Sequence, residues 1–519
     1  MDKIKIYFYG PNDIIPATKD KTILTLYYNT VPLYLDAHIR YTKPELHAKI
    51  EWSTITILEK TQDQLVQELN AQDIDVLCVS LYSWNVNEVL TGIRGIKNKL
   101  NRPITVVAGG PSVDIYRDRE FLHKNPDIDF AIYTQGEQAF VDVLESKLAG
   151  KQLNTLNTKN LAWINPRNNQ LKMSDFEFVR NNDGSPYLES QDLLLRMKND
   201  PAHHGLVMIL PYETGRGCPY GCTFCDWTSG LTHKVSKRNF NYTEELEFLG
   251  RNDVTFLQMS DANFGIQKRD IEIARIMARL KKEQGYNFRI YGTNFSKLKK
   301  DVVFEIVDIL MDAKILMAPK FALQDIDPVV LKNIDRPDIP WPEHKAHIQK
   351  LEAKYPGMPV RIELIGGLPG QTVESFEHML AAIHPYELEM FPLMVLANSP
   401  IGYDMEYREK MQIKTMHTNL IYPRSLAEGG YNLEVVCETY SYSFDDFVYF
   451  MLLMFILKHP TNHVKKLLGI FPNLMDFFKY VKKKRNFDNI QTVIRNCLLT
   501  STCELIQPAV NIFMEEPTQ

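Results

Sequence analysis

The segment Gly217-Cys218-Pro219-Tyr220-Gly221-Cys222-Thr223-Phe224-Cys225-Asp226-Trp227 follows directly on an apolar run, Met208–Glu213, that reads as a β-strand. A C-x3-C-x2-C spacing on a tight loop containing Gly and Pro lets three thiolates converge on one metal centre. Three ligands are too few for a closed structural zinc site. They are also one short of the four thiolates of an ordinary iron–sulfur cluster. A cluster held this way keeps one iron open, which is what metal catalysis needs. A rival reading completes a zinc site with His233 through C-x3-C-x2-C-x7-H.

Working outward, the strand before the cysteines opens a second series of βα units. Its strands are expected at Met208–Glu213, Thr255–Met259, Asn287–Thr293, Ala318–Leu323, Arg361–Ile365 and Glu389–Leu396, with helices such as Arg269–Gln284 and Leu298–Asp312 between them. Six such units suit a partial TIM-type (β/α)6 barrel, whose active site lies at the carboxyl ends of the strands. The cysteine loop falls on that face. Residues 1–150 form an earlier series. Strands are expected at Ile4–Tyr9, Thr54–Leu58, Val76–Ser80, Ile104–Ala108 and Phe130–Tyr133. Helical patterns lie at Leu24–Lys49, Gln62–Asn70, Asn85–Leu100 and from Gly136-Glu137 to Lys147. Apolar strands alternating with helices argue for a doubly wound, flavodoxin-like parallel sheet that binds its ligand at the strands' carboxyl ends. Residues 151–205 are rich in Asn and Asp, contain one hairpin-like piece at Leu161–Met173, and read as a linker. The fold class is therefore α/β in domains 1–150 and 206–400, with a mainly helical region at 401–519.

Composition sets the outer bounds. A chain of 519 residues exceeds what one core usually supports, so two or three domains are expected. Its formal net charge of -5 argues against duplex nucleic-acid binding through bulk electrostatics. The remaining cysteines, Cys78, Cys437, Cys497 and Cys503, lie mostly in apolar runs and read as buried thiols of a reducing compartment. The N-terminus lacks the apolar core of a signal peptide. The most apolar stretch, Phe447–Leu457, is about half the length of a membrane span and reads as a buried helix. A soluble, cytoplasmic, monomeric protein is expected.

The cysteine spacing, with Phe224 before the last cysteine, resembles the signature of the radical S-adenosylmethionine (SAM) superfamily. That resemblance implies a [4Fe–4S] cluster on Cys218, Cys222 and Cys225 whose open iron chelates SAM and cleaves it to a 5'-deoxyadenosyl radical. Gln258-Met259-Ser260-Asp261-Ala262-Asn263-Phe264 resembles the polar second-strand end near the methionine moiety of SAM. Ala322–Asp325, through Leu331 to Arg336, resembles the ribose-contacting strand and helix. Gly366-Gly367-Leu368-Pro369-Gly370-Gln371-Thr372 resembles the glycine-rich adenine-side strand, and Phe391–Pro400 the last barrel strand. The resemblance implies SAM contacts from Phe224, Ser260, Asp261, Asn294, Gln324, Gly366, Gly367 and Leu396.

The first series resembles the cobalamin-binding domain that precedes many radical SAM enzymes. Its loops Val79–Asn85, Ala108–Pro111 and Gln135–Glu137 match, which implies cobalamin contacts from Gly10, Ser80, Tyr82, Trp84, Asn85, Gly109, Gly110, Pro111, Gly136 and Glu137. Mutase-type cobalamin domains supply a cobalt-ligating histidine from D-x-H-x-x-G. Here Asp36-Ala37-His38-Ile39-Arg40-Tyr41 ends in Tyr and lies inside a helical pattern, so His38 reads as a solvated helix residue. Cobalt is expected to have no histidine ligand, its lower face covered by Tyr82 or Trp84.

The resemblance implies a cobalamin-dependent radical SAM methyltransferase. In such enzymes cobalt takes a methyl group from one SAM, a second SAM yields the radical that removes hydrogen from an unactivated carbon, and the substrate radical takes the methyl. The acceptor would be a small molecule or a peptide, and the electron donor a flavodoxin or ferredoxin. Relatives that use cobalamin for rearrangement, ring contraction or cyclisation form one alternative, and a non-catalytic cobalamin or SAM sensor another. The basic run Lys482-Lys483-Lys484-Arg485 reads as a solvated helix end, with contact to an acidic substrate as the alternative. Tyr431, Tyr440, Tyr442 and Tyr449 read mostly as core packing, although one of them could donate or accept a hydrogen atom.

Overall fold

The computed structural model describes the chain except residues 1–2, 13, 17–22, 114, 116–117, 155–156, 179–183, 228–232, 239, 296, 299, 397, 420–432, 459 and 516–519. It resolves into two compact units. The first holds residues 1–219, 226–293 and 309–316, and the second holds 220–225, 294–308 and 317–519.

The largest sheet of the first unit has its strands in the order Ile50–Thr56, Ile4–Tyr9, Val76–Ser80, Thr105–Gly109, Phe130–Ile132, Leu161–Asn165, Gln170–Met173. The first five run parallel, as apolar strands joined by helical crossovers must. Every residue of Val76–Ser80 is buried, so both faces of this central strand are covered. The last two strands pair antiparallel. The segment expected to be a linker thus forms the hairpin read at Leu161–Met173 and extends the sheet edge.

A second sheet in this unit has the order Arg289–Gly292, Phe256–Met259, Leu206–Tyr212, Leu24–Tyr27, Ile15–Pro16. Leu24–Tyr27 pairs in parallel with Leu206–Tyr212, with Leu24 opposite Leu206 and Tyr27 opposite Ile209. This corrects the helical reading of Leu24–Lys49. The helix begins only at Val31 and runs to Thr42, where Lys43-Pro44 interrupts it. In the second unit, Lys320–Gln324, Arg361–Gly366 and Glu387–Pro392 form a three-stranded parallel sheet. The six strands of the second βα series are all present, three in each unit.

Beyond residue 400 the chain is not purely helical. Lys414–Thr418 and Leu433–Glu438 form an antiparallel hairpin. The apolar run lies within the helix Phe444–Lys458, which is buried on nearly all sides against the strands Arg361–Gly366 and Glu387–Pro392 and its neighbouring helices. Among the described residues no helix is long and apolar enough to cross a membrane.

Candidate active site

The cysteine loop is braced at its base within the first unit. It leaves the strand Leu206–Tyr212 and returns through a short antiparallel ladder, Gly215-Arg216 against Ser236-Lys237. Asp261, expected to face SAM, has both carboxylate oxygens on Thr214. Oδ1 accepts from the Thr214 amide and Oδ2 from its hydroxyl, each at 2.6 Å. Burial raises the Asp261 pKa to about 7, against the pull of those bonds. Cys218 is buried, and its Sγ accepts from Asn263 Nδ2 at 2.9 Å. Asn263 Oδ1 is buried with no partner among the described residues. Ser260 is half-buried; its amide donates to Tyr212 O at 2.9 Å and its hydroxyl to Gln258 O at 3.2 Å.

Cys222 and Cys225 belong to the second unit, with Phe224 half-buried between them. Cys222 Sγ accepts from Lys297 Nζ at 2.8 Å, and that ammonium lies 4.2 Å from the centre of the Tyr220 ring. The Thr223 amide donates to Ile334 O, and Thr223 O accepts from the Ile401 amide. Asn294 is half-buried after the Arg289–Gly292 strand. Gln324 ends its strand at φ +67° and donates through Nε2 to Glu363 Oε1 at 2.8 Å; its Oε1 is buried and unpartnered among the described residues. At Gly366 and Gly367 the close approach is made by the protein itself. A Cβ on Gly366 would sit 2.8 Å from Met454 Sδ, and Gly367, at φ +91°, offers its carbonyl to Tyr442 Oη at 2.7 Å. Leu396 is half-buried, and its carbonyl accepts from Ser399.

The loops at the carboxyl ends of the first sheet are mutually braced. Asn85 is buried, donating to Pro11 O at 2.8 Å and accepting from the Tyr82 amide at 2.8 Å. The rings of Tyr82 and Trp84 stack at 4.4 Å, and Trp84 Nε1 donates to Asn12 Oδ1 at 3.0 Å. Gly10, next to these partners, has Phe8 and Asn29 where a side chain would go. Gly110, at φ +107°, brings its backbone onto the Leu81 carbonyl where no Cβ could fit. Ser80 is buried, Gly109 ends the fourth parallel strand, and Pro111 follows in a turn. Gly136 caps the helix Glu137–Ala149.

Glu137 is not a free carboxylate. Its Oε1 accepts from Arg216 Nη1 at 2.6 Å, and Arg216 also bridges Glu213 at 3.1 Å. Burial alone would raise the Glu137 pKa, but the Arg216 charge and hydrogen bond outweigh it and hold it below the usual range. His38 is buried rather than solvated, with Nε2 3.3 Å from Gln138 Oε1. Asp36 is an internal hub, accepting from Trp52 Nε1, Arg40 Nε and Ser190 Oγ, with His47 Nε2 3.0 Å away. Asp36 therefore ties the helix Val31–Thr42 to its neighbours within the unit.

Other expectations shift as well. His233 is exposed. Among the described residues, Cys218, Cys222 and Cys225 included, no group of three His, Cys, Asp or Glu side chains is gathered to hold a metal ion. Lys484, read as part of a solvated run, is buried, while Lys482 reaches Glu377 Oε1 at 2.7 Å. Tyr449 Oη donates to the same oxygen at 2.5 Å, and Tyr440 is exposed. Tyr431 lies outside the described residues. Cys78, Cys437, Cys497 and Cys503 are buried free thiols. Asn263, Lys297 and Arg216 were absent from the expected site. Asn263 lay within a polar segment that could have flagged it.

Cys218 Sγ and Cys222 Sγ each receive an N–H donor from a side chain, as sulfurs that ligate a cluster do. Asn263 Oδ1, Gln324 Oε1 and Glu137 Oε2 are each buried with no partner among the described residues, so each is a polar group that a ligand could satisfy.

Family models match two segments of the chain. The B12 binding domain matches residues 47–144, and the radical SAM superfamily matches residues 212–383. The chain is 32% identical over 345 residues to the cobalamin-dependent radical SAM methyltransferase TokK of Streptomyces tokunonensis, across 63% of this chain and 48% of the relative. It is 32% identical over 356 residues to 2-(S-pantetheinyl)-carbapenam-3-carboxylate methyltransferase of Streptantibioticus cattleyicolor, across 65% of this chain and 50% of that one. It thus spans about half the length of these curated relatives. The fold is similar to that of TsrM, a radical SAM methyltransferase of Kitasatospora setae solved with tryptophan and a SAM analogue. The TM-score is 0.61 at 14% identity, over 89% of this chain and 90% of that one. It is also similar to the fold of OxsB, a cobalamin-dependent SAM radical enzyme solved with aqua-cobalamin and SAM, with TM-score 0.61 at 12% identity, over 99% of this chain and 78% of that one. One chain thus carries a segment, residues 47–144, that matches the B12 binding domain and a second, residues 212–383, that matches the radical SAM superfamily.

Proposed function

We propose that this protein is a cobalamin-dependent radical SAM methyltransferase that methylates an unactivated carbon of a small molecule or peptide. The observation that carries the reading is the cysteine loop with N–H donors on its sulfurs, in a chain that also has a B12-binding domain. The two relatives at 32% identity are named as methyltransferases, which supports the choice among cobalamin-dependent reactions.

In this reading Cys218, Cys222 and Cys225 hold the [4Fe–4S] cluster. Phe224, Ser260, Asn294, Gln324, Gly366, Gly367 and Leu396 border SAM, and Asp261 acts by fixing Thr214 at the root of the loop. The loops carrying Gly10, Ser80–Asn85, Gly109–Pro111 and Gly136-Glu137 would hold cobalamin, with Tyr82 or Trp84 rather than a histidine of the chain facing the cobalt. When bound, the cluster and SAM supply the radical, and cobalamin carries the methyl group. The chain's own tasks are to orient these groups and keep water from the radical. The domain limits 1–150, 206–400 and 401–519 belong to the proposal. So do the flavodoxin-like and partial-barrel readings, a flavodoxin or ferredoxin donor, a monomeric state and a cytoplasmic location.

The test is anaerobic reconstitution with iron, sulfide, cobalamin and methyl-labelled SAM, followed by mass spectrometry of candidate acceptors. Formation of 5'-deoxyadenosine together with a labelled methyl increment is the expected result. Deoxyadenosine with a product that lacks the label would move the assignment to a rearrangement or cyclisation. No deoxyadenosine from a protein with an intact cluster would overturn it.

A further inference from the structure

We propose that Lys297 sets the reduction potential of the cluster through a charged hydrogen bond to the sulfur of Cys222. This rests on the reading that the three cysteines hold an iron–sulfur cluster. Lys297 lies in the loop after the Arg289–Gly292 strand and is buried, at 8% exposure. Its Nζ is 2.8 Å from Cys222 Sγ. The same ammonium sits 4.2 Å from the centre of the Tyr220 ring, so two residues of the cysteine loop contact the cation.

A buried ammonium needs a counter-charge, because removing it from water is costly when it is unpaired. A metal-bound thiolate is such a partner. Cys218, by contrast, receives a neutral donor, the Asn263 amide. Reduction adds one negative charge to the cluster. A fixed cation and an N–H donor on one of its sulfurs stabilise the reduced form more than the oxidised form, which raises the potential. Lys297 is thus a positioning residue for Cys222 and a tuner of the electron-accepting step, not a group that reacts.

The experiment is an EPR-monitored redox titration of the anaerobically reconstituted full chain without SAM. Wild type, K297M, K297Q and K297R are compared after iron and sulfide are quantified. K297M, with wild-type iron content, is expected to shift the midpoint to a more negative potential, and K297R to restore most of it. Should K297M lose iron, K297Q, which keeps a donor but no charge, carries the test and is expected to shift in the same direction. An unchanged midpoint at equal iron content overturns the inference. So does an unchanged midpoint with weakened SAM binding, which would give the lysine to the SAM carboxylate. A wild-type chain that holds no cysteine-dependent cluster would overturn the site reading itself, a result distinct from the other two.

Discussion

Arg216 Nη1 lies 2.6 Å from Glu137 Oε1, joining the residue two before Cys218 to the start of the helix after Gly136. The pair is mostly buried, with side-chain exposures of 18% and 9%, and Arg216 holds Glu213 as well. Arg216→Met would leave two carboxylates buried and uncompensated. We expect a loss of about 3 kcal/mol or more in urea unfolding. Because the folded pKa of Glu137 is depressed, its contribution is complete above the ordinary glutamate value of about 4.3. It is lost as pH falls through the lower folded value. Glu137→Gln should lack this acid-side loss, which unfolding measured across a pH series would reveal.

Asp261 has the opposite sign. Its pKa is raised to about 7 by burial. Its contribution is present below the unfolded aspartate value and lost as pH rises through the folded one. Wild-type stability should therefore fall between about pH 4 and 7, by up to about 1.4 kcal/mol per pH unit. Asp261→Asn should flatten that limb. An equal slope in both proteins would show that the carboxyl does not titrate in this range.

Gly110 cannot accept a side chain without moving Leu81. Gly110→Ala should destabilise by more than about 1 kcal/mol, because φ is positive and the added Cβ meets a backbone carbonyl. If the loop receives cobalamin, cobalamin bound per chain should fall in parallel. Retention of full cobalamin content in a folded variant would place the cofactor elsewhere.

Tyr442 holds the Gly367 carbonyl from inside the second unit. Tyr442→Phe leaves that buried carbonyl without its hydroxyl donor and should cost about 1–3 kcal/mol. If Gly366 and Gly367 border SAM, its dissociation constant should also rise, which isothermal titration of the reconstituted protein would measure.

Cobalt without a protein histidine has a direct check in His38. The absorption spectrum of bound cobalamin should be the same in wild type and His38→Ala. His38 is buried against Gln138, beside Glu137, so the comparison is informative. A shifted spectrum would assign the ligand to His38.

Regular elements were legible where local pattern and burial agree. The helix Arg269–Gln284 ends at Gly285 in the left-handed conformation, a stop visible in sequence. The strand Val76–Ser80 is apolar throughout because both its faces are covered. Leu24–Tyr27 was not legible, since a short apolar run beside a helical pattern does not reveal its period, and its partner strand lies far along the chain. Lys484 was misread for a related reason. Its neighbours in sequence are charged, but its ammonium turns inward to the Met514 carbonyl. The cysteines announced themselves by spacing. Lys297 could not, because a lone lysine after a strand acquires meaning only when the fold brings Cys222 to it.

The pairing of Leu24–Tyr27 with Leu206–Tyr212 has a consequence for how such proteins can be inherited and recombined. A crossover near residue 205, where the sequence suggests a seam, would separate a strand from the sheet it completes. The Leu206–Tyr212 strand would keep an unpaired edge directly before the cysteine loop, an edge prone to aggregation. Grafting a different front half onto residues 206–519 should therefore succeed only if the donor brings its own equivalent of Leu24–Tyr27. The two halves are one heritable piece, spliced by four residues.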